Sequence, residues 1–177
     1  MAIVNIPKTK TSLAESVAIK EYLSARGIDF QQWDAAVPLP KDADQDAVLA
    51  AYDHCLKPLM AKQGYQTADV ISVFPDTPNL LAIREKFLSE HTHSEDEVRF
   101  FVEGQGLFWF NLGGEEPVFS VLCQAGDFLS VPKHTAHWFD LGPEAHVRAI
   151  RIFIDPAGWV ANYTGSGTDM KFNPKYS

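Results

Sequence analysis

The chain is poor in cysteine, short of positive charge and free of long apolar runs, and each shortage removes a class of protein. Two cysteines, Cys55 and Cys123, in 177 residues are too few for a disulfide framework. Each sits among apolar neighbours and reads as a reduced core thiol; with no C-x-x-C pair, a thiolate metal site is the weaker alternative. Lys and Arg number 15 against 23 Asp and Glu, which argues against nucleic acid or an anionic membrane as partner. No apolar run is long enough to span a bilayer, and the N-terminus lacks the basic start and apolar stretch of a secretion signal. A cytoplasmic protein is therefore expected. Neither a coiled-coil seam nor a long exposed apolar edge calls for an obligate partner, so a monomer is expected too. The remaining composition, 46% hydrophobic and 21% charged, suits one well-buried core in a single domain over 1–177.

Along that domain the pattern changes character near residue 89. Before it, helical and extended periods mix. Residues 2–6 are strand-like, and Ser12 with Glu15 forms a capping box for an amphipathic helix through Val17, Tyr22 and Leu23 that stops at Gly27. Residues 28–33 are extended. A second helix starts between Asp42 and Asp46, runs through Leu49, Tyr52 and Leu56, is kinked or restarted at Pro58, and ends at Gly64. Residues 68–74 read as a strand and 78–88 as a helix. From 89 to 160 short strands dominate, over 97–102, 107–112, 117–123, 128–131, 136–139 and 147–154. Gly104 to Gly106 and Gly113-Gly114 read as hairpin turns between them. Closely spaced short strands of this kind predict a sandwich or barrel. The first 88 residues supply helices and edge strands. From residue 163 to 177 periodicity fades, and a loosely ordered tail is expected.

The densest chemistry lies at the join. His91, His93 and Glu97 place three potential metal ligands within seven residues, and all three share one parity, so on an extended segment they point to one side. His137 is a fourth candidate, with His134 three residues before it as its rival. Imidazole nitrogens with one carboxylate oxygen make a mixed site for a borderline divalent ion such as Fe²⁺, Ni²⁺, Mn²⁺ or Zn²⁺. A lone H-x-H would more readily be a polar turn; here it runs into the apolar strand at 98–102. His54 and His146 read as surface or packed histidines. Arg99 shares the ligand parity, and an inward arginine needs a partner. Either it stabilises an anionic substrate or it forms an internal salt bridge to Glu103 or Asp96. On the strand at 147–154 both faces are largely apolar, so Arg148 or Arg151 could be the inward one. Arg148, near the strand end, can reach solvent by snorkelling, which favours Arg151.

The run His91-x-His93-x3-Glu97-x6-Gly104 resembles the first cupin motif, and Gly126-x5-Pro132-x4-His137 resembles the second. His134 and Leu141 depart from that second pattern, where glycine and asparagine are common. Residues 90–101, 130–132, 137–140 and 149–153, with 64–66 and 69–72 upstream and 158–159 downstream, resemble the bacterial type of the acireductone dioxygenase family. The resemblance covers most of the chain. It implies a mainly β fold, the cupin double-stranded β-helix (jelly-roll) barrel with flanking helices and an N-terminal α/β layer. It implies His91, His93, Glu97 and His137 as ligands of one Fe²⁺ or Ni²⁺, and it selects His137 over His134. Arg99 and Arg151 would then face the substrate, Asp96 would orient a ligand or an arginine from behind, and Phe87, Phe139 and Trp159 would line an apolar slot. For the aromatics, plain core packing is a comparable reading. The implied reaction is oxidation of a small enediol ketone by O₂, with products set by the metal. Two rivals stand beside it: another cupin activity, such as a phosphosugar isomerase or a dioxygenase for a thiol or flavonoid, and a non-catalytic ligand-binding cupin.

Overall fold

A computed structural model of the chain describes residues 1–155, 157 and 160–172. In chain order it contains β1 (Ile3–Ile6), β2 (Thr11–Leu13), α1 (Ser16–Ser24), β3 (Asp29–Gln32), α2 (Gln45–Ala51), α3 (Asp53–Gln63), β4 (Thr67–Val73) and α4 (Leu80–Leu88). The strand-rich part follows with β5 (His91–Thr92), β6 (Glu97–Phe110), β7 (Phe119–Gln124), β8 (Asp127–Val131), β9 (His137–Asp140), β10 (Val147–Phe153) and β11 (Asn162–Tyr163). The class is mainly β with helices, as expected, and no helix among the described residues is long and apolar enough to cross a membrane.

The long strand β6 organises everything else. Its first half pairs with β8 and β10, and its second half with β7 and β9, all antiparallel. From there β10 continues to β4, β8 to β3, β7 to β1 and β2, and β9 to β5 and β11. One strand thus joins two layers. Alternation explains how: Phe101 and Phe108 of β6 pack into the larger core with Phe139, Leu129, Ala149 and Val121. Val98, Phe100 and Val102 face the other way and are covered by Val48, Tyr52 and Leu56 of the α2–α3 region. A strand apolar on both faces can only be central.

The glycines at 104 and 106 do not make the expected hairpin turn. The strand continues through them, because both are needed for close approach. A side chain at Gly104 would lie 2.0 Å from the His146 carbonyl oxygen, at a backbone φ of +71°. The partner register shifts between Arg148 and Ala149 at the same level, leaving Val102 as the extra residue of a bulge that bends β6 from one layer into the other. A side chain at Gly106 would meet the Phe139 ring at 2.4 Å.

Two N-terminal expectations also change. Ser12 caps nothing: it pairs with Asn5 in the β1–β2 hairpin, and α1 starts at Ser16 with no side-chain cap on its first turn. Sheet pairing takes the residues that a capping box would have used. The helix of 45–63 breaks at Tyr52, whose φ of −112° and ψ of 12° lie outside the helical region, while Pro58 sits inside α3. The buried Tyr52 ring packs edge-on to Phe100, and that anchor turns the chain where no sequence breaker stands. Gly64 ends α3 in the left-handed conformation, as expected.

Candidate metal centre

Three strands and one turn bring the four predicted ligands together. His91 opens β5, Glu97 opens β6 and His137 opens β9, with His91 directly opposite His137 in register. His93 follows two residues after His91, in the short loop before β6. One ligand atom from each of His91, His93, Glu97 and His137 lies within 4.8 Å of the others, and all four residues are buried. His134, the rival, is exposed with a left-handed backbone (φ 64°), and only its backbone N–H turns inward, to the His93 carbonyl at 2.8 Å.

The histidine tautomers follow from their backbone partners. Nδ1 of His91 lies 2.7 Å from Ser89 O, that of His137 2.8 Å from Thr135 O, and that of His93 3.2 Å from Val160 O. A carbonyl oxygen can only accept, so each Nδ1 donates and each neutral ring carries its lone pair on Nε2. Two of those nitrogens face the carboxylate. Glu97 Oε2 lies 2.7 Å from His137 Nε2 and 3.1 Å from His93 Nε2. At such distances nitrogen and carboxylate oxygen cannot meet as two acceptors, so either a proton or a metal cation must lie between them. The donor set therefore fits a divalent metal with N and O ligands.

Electrostatics agree with that geometry. Burial, and next the His137 ring, push His91 down to about 4, which keeps it neutral and ready to ligate. Burial would raise Glu97, but Arg99 and His137 outweigh it and hold the carboxyl well below the usual range. Arg99 answers the question its sequence left open. Its partner is neither Glu103 nor Asp96 but the ligand Glu97, with Nε 2.8 Å from Oε1. Its guanidinium also lies over the Phe139 ring at 4.6 Å and the Phe108 ring at 5.3 Å. Parity puts Glu97 and Arg99 on one face, but i and i+2 positions on a strand stand about 7 Å apart, so the pair forms only because the long arginine folds back.

The two arginines of β10 separate by parity. Arg151 lines a cavity of about 480 Å³ together with His91, His93, Phe87 and Tyr163. Arg148 points to the opposite face and does not snorkel to solvent. It is wholly buried, donating to Pro40 O at 3.1 Å and Lys41 O at 2.7 Å, with Glu103 at 3.2 Å. The 35–43 segment folds over the strand end and seals it there.

Asp96 lies away from the ligands. It is exposed and accepts a hydrogen bond from Lys133 N at 2.9 Å, holding the turn that precedes His137. Phe87 is on the cavity wall and meets Phe139 edge-on, with centroids 6.4 Å apart; Phe139 itself is buried behind it, packed on Arg99. Trp159 lies outside the described residues. Sequence reasoning misses the start of the segment expected to be a loose tail. Asn162–Tyr163 pairs with β5, and Thr164 and Ser166 hydrogen-bond the buried Glu90 carboxylate. The available signal is Glu90 itself, a carboxylate directly beside the ligand candidate His91.

A mainly β fold with three buried histidines and one buried glutamate gathered where β5, β6 and β9 begin defines a cupin-type metal protein. The model of the ARD/ARD′ family matches residues 6–161, and the chain belongs to that family. It is 54% identical over 93% of both chains to an acireductone dioxygenase of Picosynechococcus sp.. It is 50% identical to another of Alcanivorax borkumensis, over 94% of this chain and 91% of that one. Among solved structures it is similar to the acireductone dioxygenase of Bacillus anthracis with a cadmium ion in its active centre. That match has a TM-score of 0.84 and 34% identity, over 92% of this chain and 98% of the other.

Proposed function

We propose that this protein is a metal-dependent dioxygenase that cleaves acireductone, 1,2-dihydroxy-5-(methylthio)pent-1-en-3-one, with O₂ in methionine salvage. The single observation that carries the reading is the convergence of the buried His91, His93, Glu97 and His137, with one ligand atom of each within 4.8 Å of the others and each ring's Nδ1 held by a backbone carbonyl. His91, His93, Glu97 and His137 would hold one Fe²⁺ or Ni²⁺. When bound, the ion supplies Lewis-acid polarisation of a chelated enediol, since four protein ligands leave two positions of a six-coordinate ion for substrate.

The chain's own residues do the rest. The buried Arg99 places a fixed positive charge beside the centre, where an enediolate gains most from it because no water competes. Arg151 presents a second cation on the cavity wall. Phe87 and Phe139, and Trp159 by family resemblance, supply the apolar and aromatic surface that a methylthioalkyl tail needs. Family membership and identities near 50% over most of the chain support the substrate.

With Fe²⁺ the expected products are formate and 4-methylthio-2-oxobutanoate. With Ni²⁺ they are formate, carbon monoxide and 3-(methylthio)propanoate. The test strips the protein, reloads it separately with each metal and supplies acireductone under O₂. Two product sets support the whole reading; one shared set refutes the metal switch. Full metal loading without accelerated consumption refutes the dioxygenase.

A further inference from the structure

The cavity wall holds a carboxylate that the reaction does not use. Asp69 of β4 faces the cavity and binds Arg151 at two points: Arg151 Nε donates to Oδ1 at 2.6 Å, and Nη2 donates to Oδ2. The pairing lies across three neighbouring strands at one level, with Asp69 directly opposite Arg151 and Arg151 directly opposite Arg99. Two guanidinium groups therefore stand side by side, each with its own carboxylate: Asp69 for Arg151 and Glu97 for Arg99.

That distribution is not the only one available. Glu97 lies two residues from Arg99 on β6, so it is the diagonal neighbour of Arg151 across the β10–β6 ladder. Diagonal partners are about 7–8 Å apart at Cα, within reach of a long side chain. The Glu97 carboxylate is buried, and it would attract any nearby cation that has no partner of its own. An arginine fork on Glu97 takes up the oxygen lone pairs that a metal needs.

We propose that Asp69 is a positioning residue for the metal centre: it holds Arg151 in a two-point ion pair and so keeps the second arginine off Glu97. The inference rests on the reading that His91, His93, Glu97 and His137 hold a divalent ion. Asp69 is not one of those ligands and acts on them through Arg151.

Binding of Co²⁺ to stripped protein, followed by its visible absorption and by calorimetry, separates the two readings. Wild type that binds no Co²⁺ overturns the metal reading itself. If wild type binds one ion, Asp69→Asn should bind it about tenfold more weakly, the scale seen when a group supporting metal ligands is lost. Asp69→Glu, which keeps the carboxylate, should stay within threefold of wild type, taking about threefold as the scatter of such comparisons. The deciding variant is Asp69→Asn with Arg151→Gln: removing the competing arginine should restore affinity to that of Arg151→Gln alone. A double variant as weak as Asp69→Asn, or an Asp69→Asn that binds like wild type, overturns the proposal. Should Asp69→Asn fail to fold alone, the Arg151→Gln background decides it, since a loss there from Asp69→Asn cannot act through the arginine.

Discussion

Gly106→Ala tests the claim that this glycine exists for contact and not for a turn. Its backbone φ is not in the left-handed region, so alanine meets no conformational objection. The added methyl carbon would instead stand 2.4 and 2.6 Å from two atoms of the Phe139 ring and 3.0 Å from the Phe101 ring. Both rings are buried, and Phe139 is further held between Phe108 and the Arg99 guanidinium, so neither can swing clear. Overpacking of this kind costs about 2–3 kcal/mol. For a chain of this size that is a fall in Tm of about 4–12 °C, read by thermal unfolding of the metal-free protein and checked by denaturant titration. Gly113→Ala is the contrast: at φ +78° with nothing within 4 Å, it should lose only about 1 kcal/mol of backbone strain. Shortening the ring should relieve the clash, so Gly106→Ala combined with Phe139→Leu should cost at least about 1 kcal/mol less than the sum of the two single changes. A Gly106→Ala protein within about 0.5 kcal/mol of wild type, or strict additivity with Phe139→Leu, would refute the close-approach argument.

The other predictions concern the site and the thiols. His137→Ala should lose bound metal and activity together, whereas His134→Ala should keep both, measured by metal content after gel filtration; the opposite result would move the fourth ligand. Arg99→Lys keeps a charge but loses the planar fork against Glu97 and Phe139, so it should retain metal while kcat/KM falls by about 10–100-fold. Wild-type kcat/KM in that variant would make Arg99 structural. Burial drives the Cys123 thiol well above its usual range, and a raised thiol pKa means less thiolate at a given pH. Cys123 should therefore resist a disulfide reagent at pH 8 in the native protein and react only on unfolding; rapid labelling of two thiols in the native state would contradict its placement.

Three of the four ligands are legible in the sequence because their arrangement is local. His91, His93 and Glu97 lie within seven residues, and that closeness brings them together although the loop at 93–96 interrupts the strand parity expected between them. His137 is legible only through its motif, since spacing alone does not rank it above His134; the left-handed turn at His134 that exposes one ring and buries the other is a backbone feature. The mainly β second half is readable from short apolar runs. Its register is not. Gly104 and Gly106 have the composition of a turn, and the packing of His146 and Phe139 against them decides that they lie within a strand.

What the sequence determined by itself is therefore the chemistry available: which side chains can ligate, which strands are buried on one face or two, and that no cysteine framework or basic surface competes with that site. What only the tertiary structure decided is who pairs with whom. Arg99 meets Glu97, Arg151 meets Asp69, Arg148 is sealed by the 35–43 segment, and Asp96 turns away to hold a loop. Those choices depend on which strands lie side by side and at what register, and a charge finds its partner by distance in space. Periodicity carries the facing of a residue, but the identity of what it faces enters only when the layers close on each other.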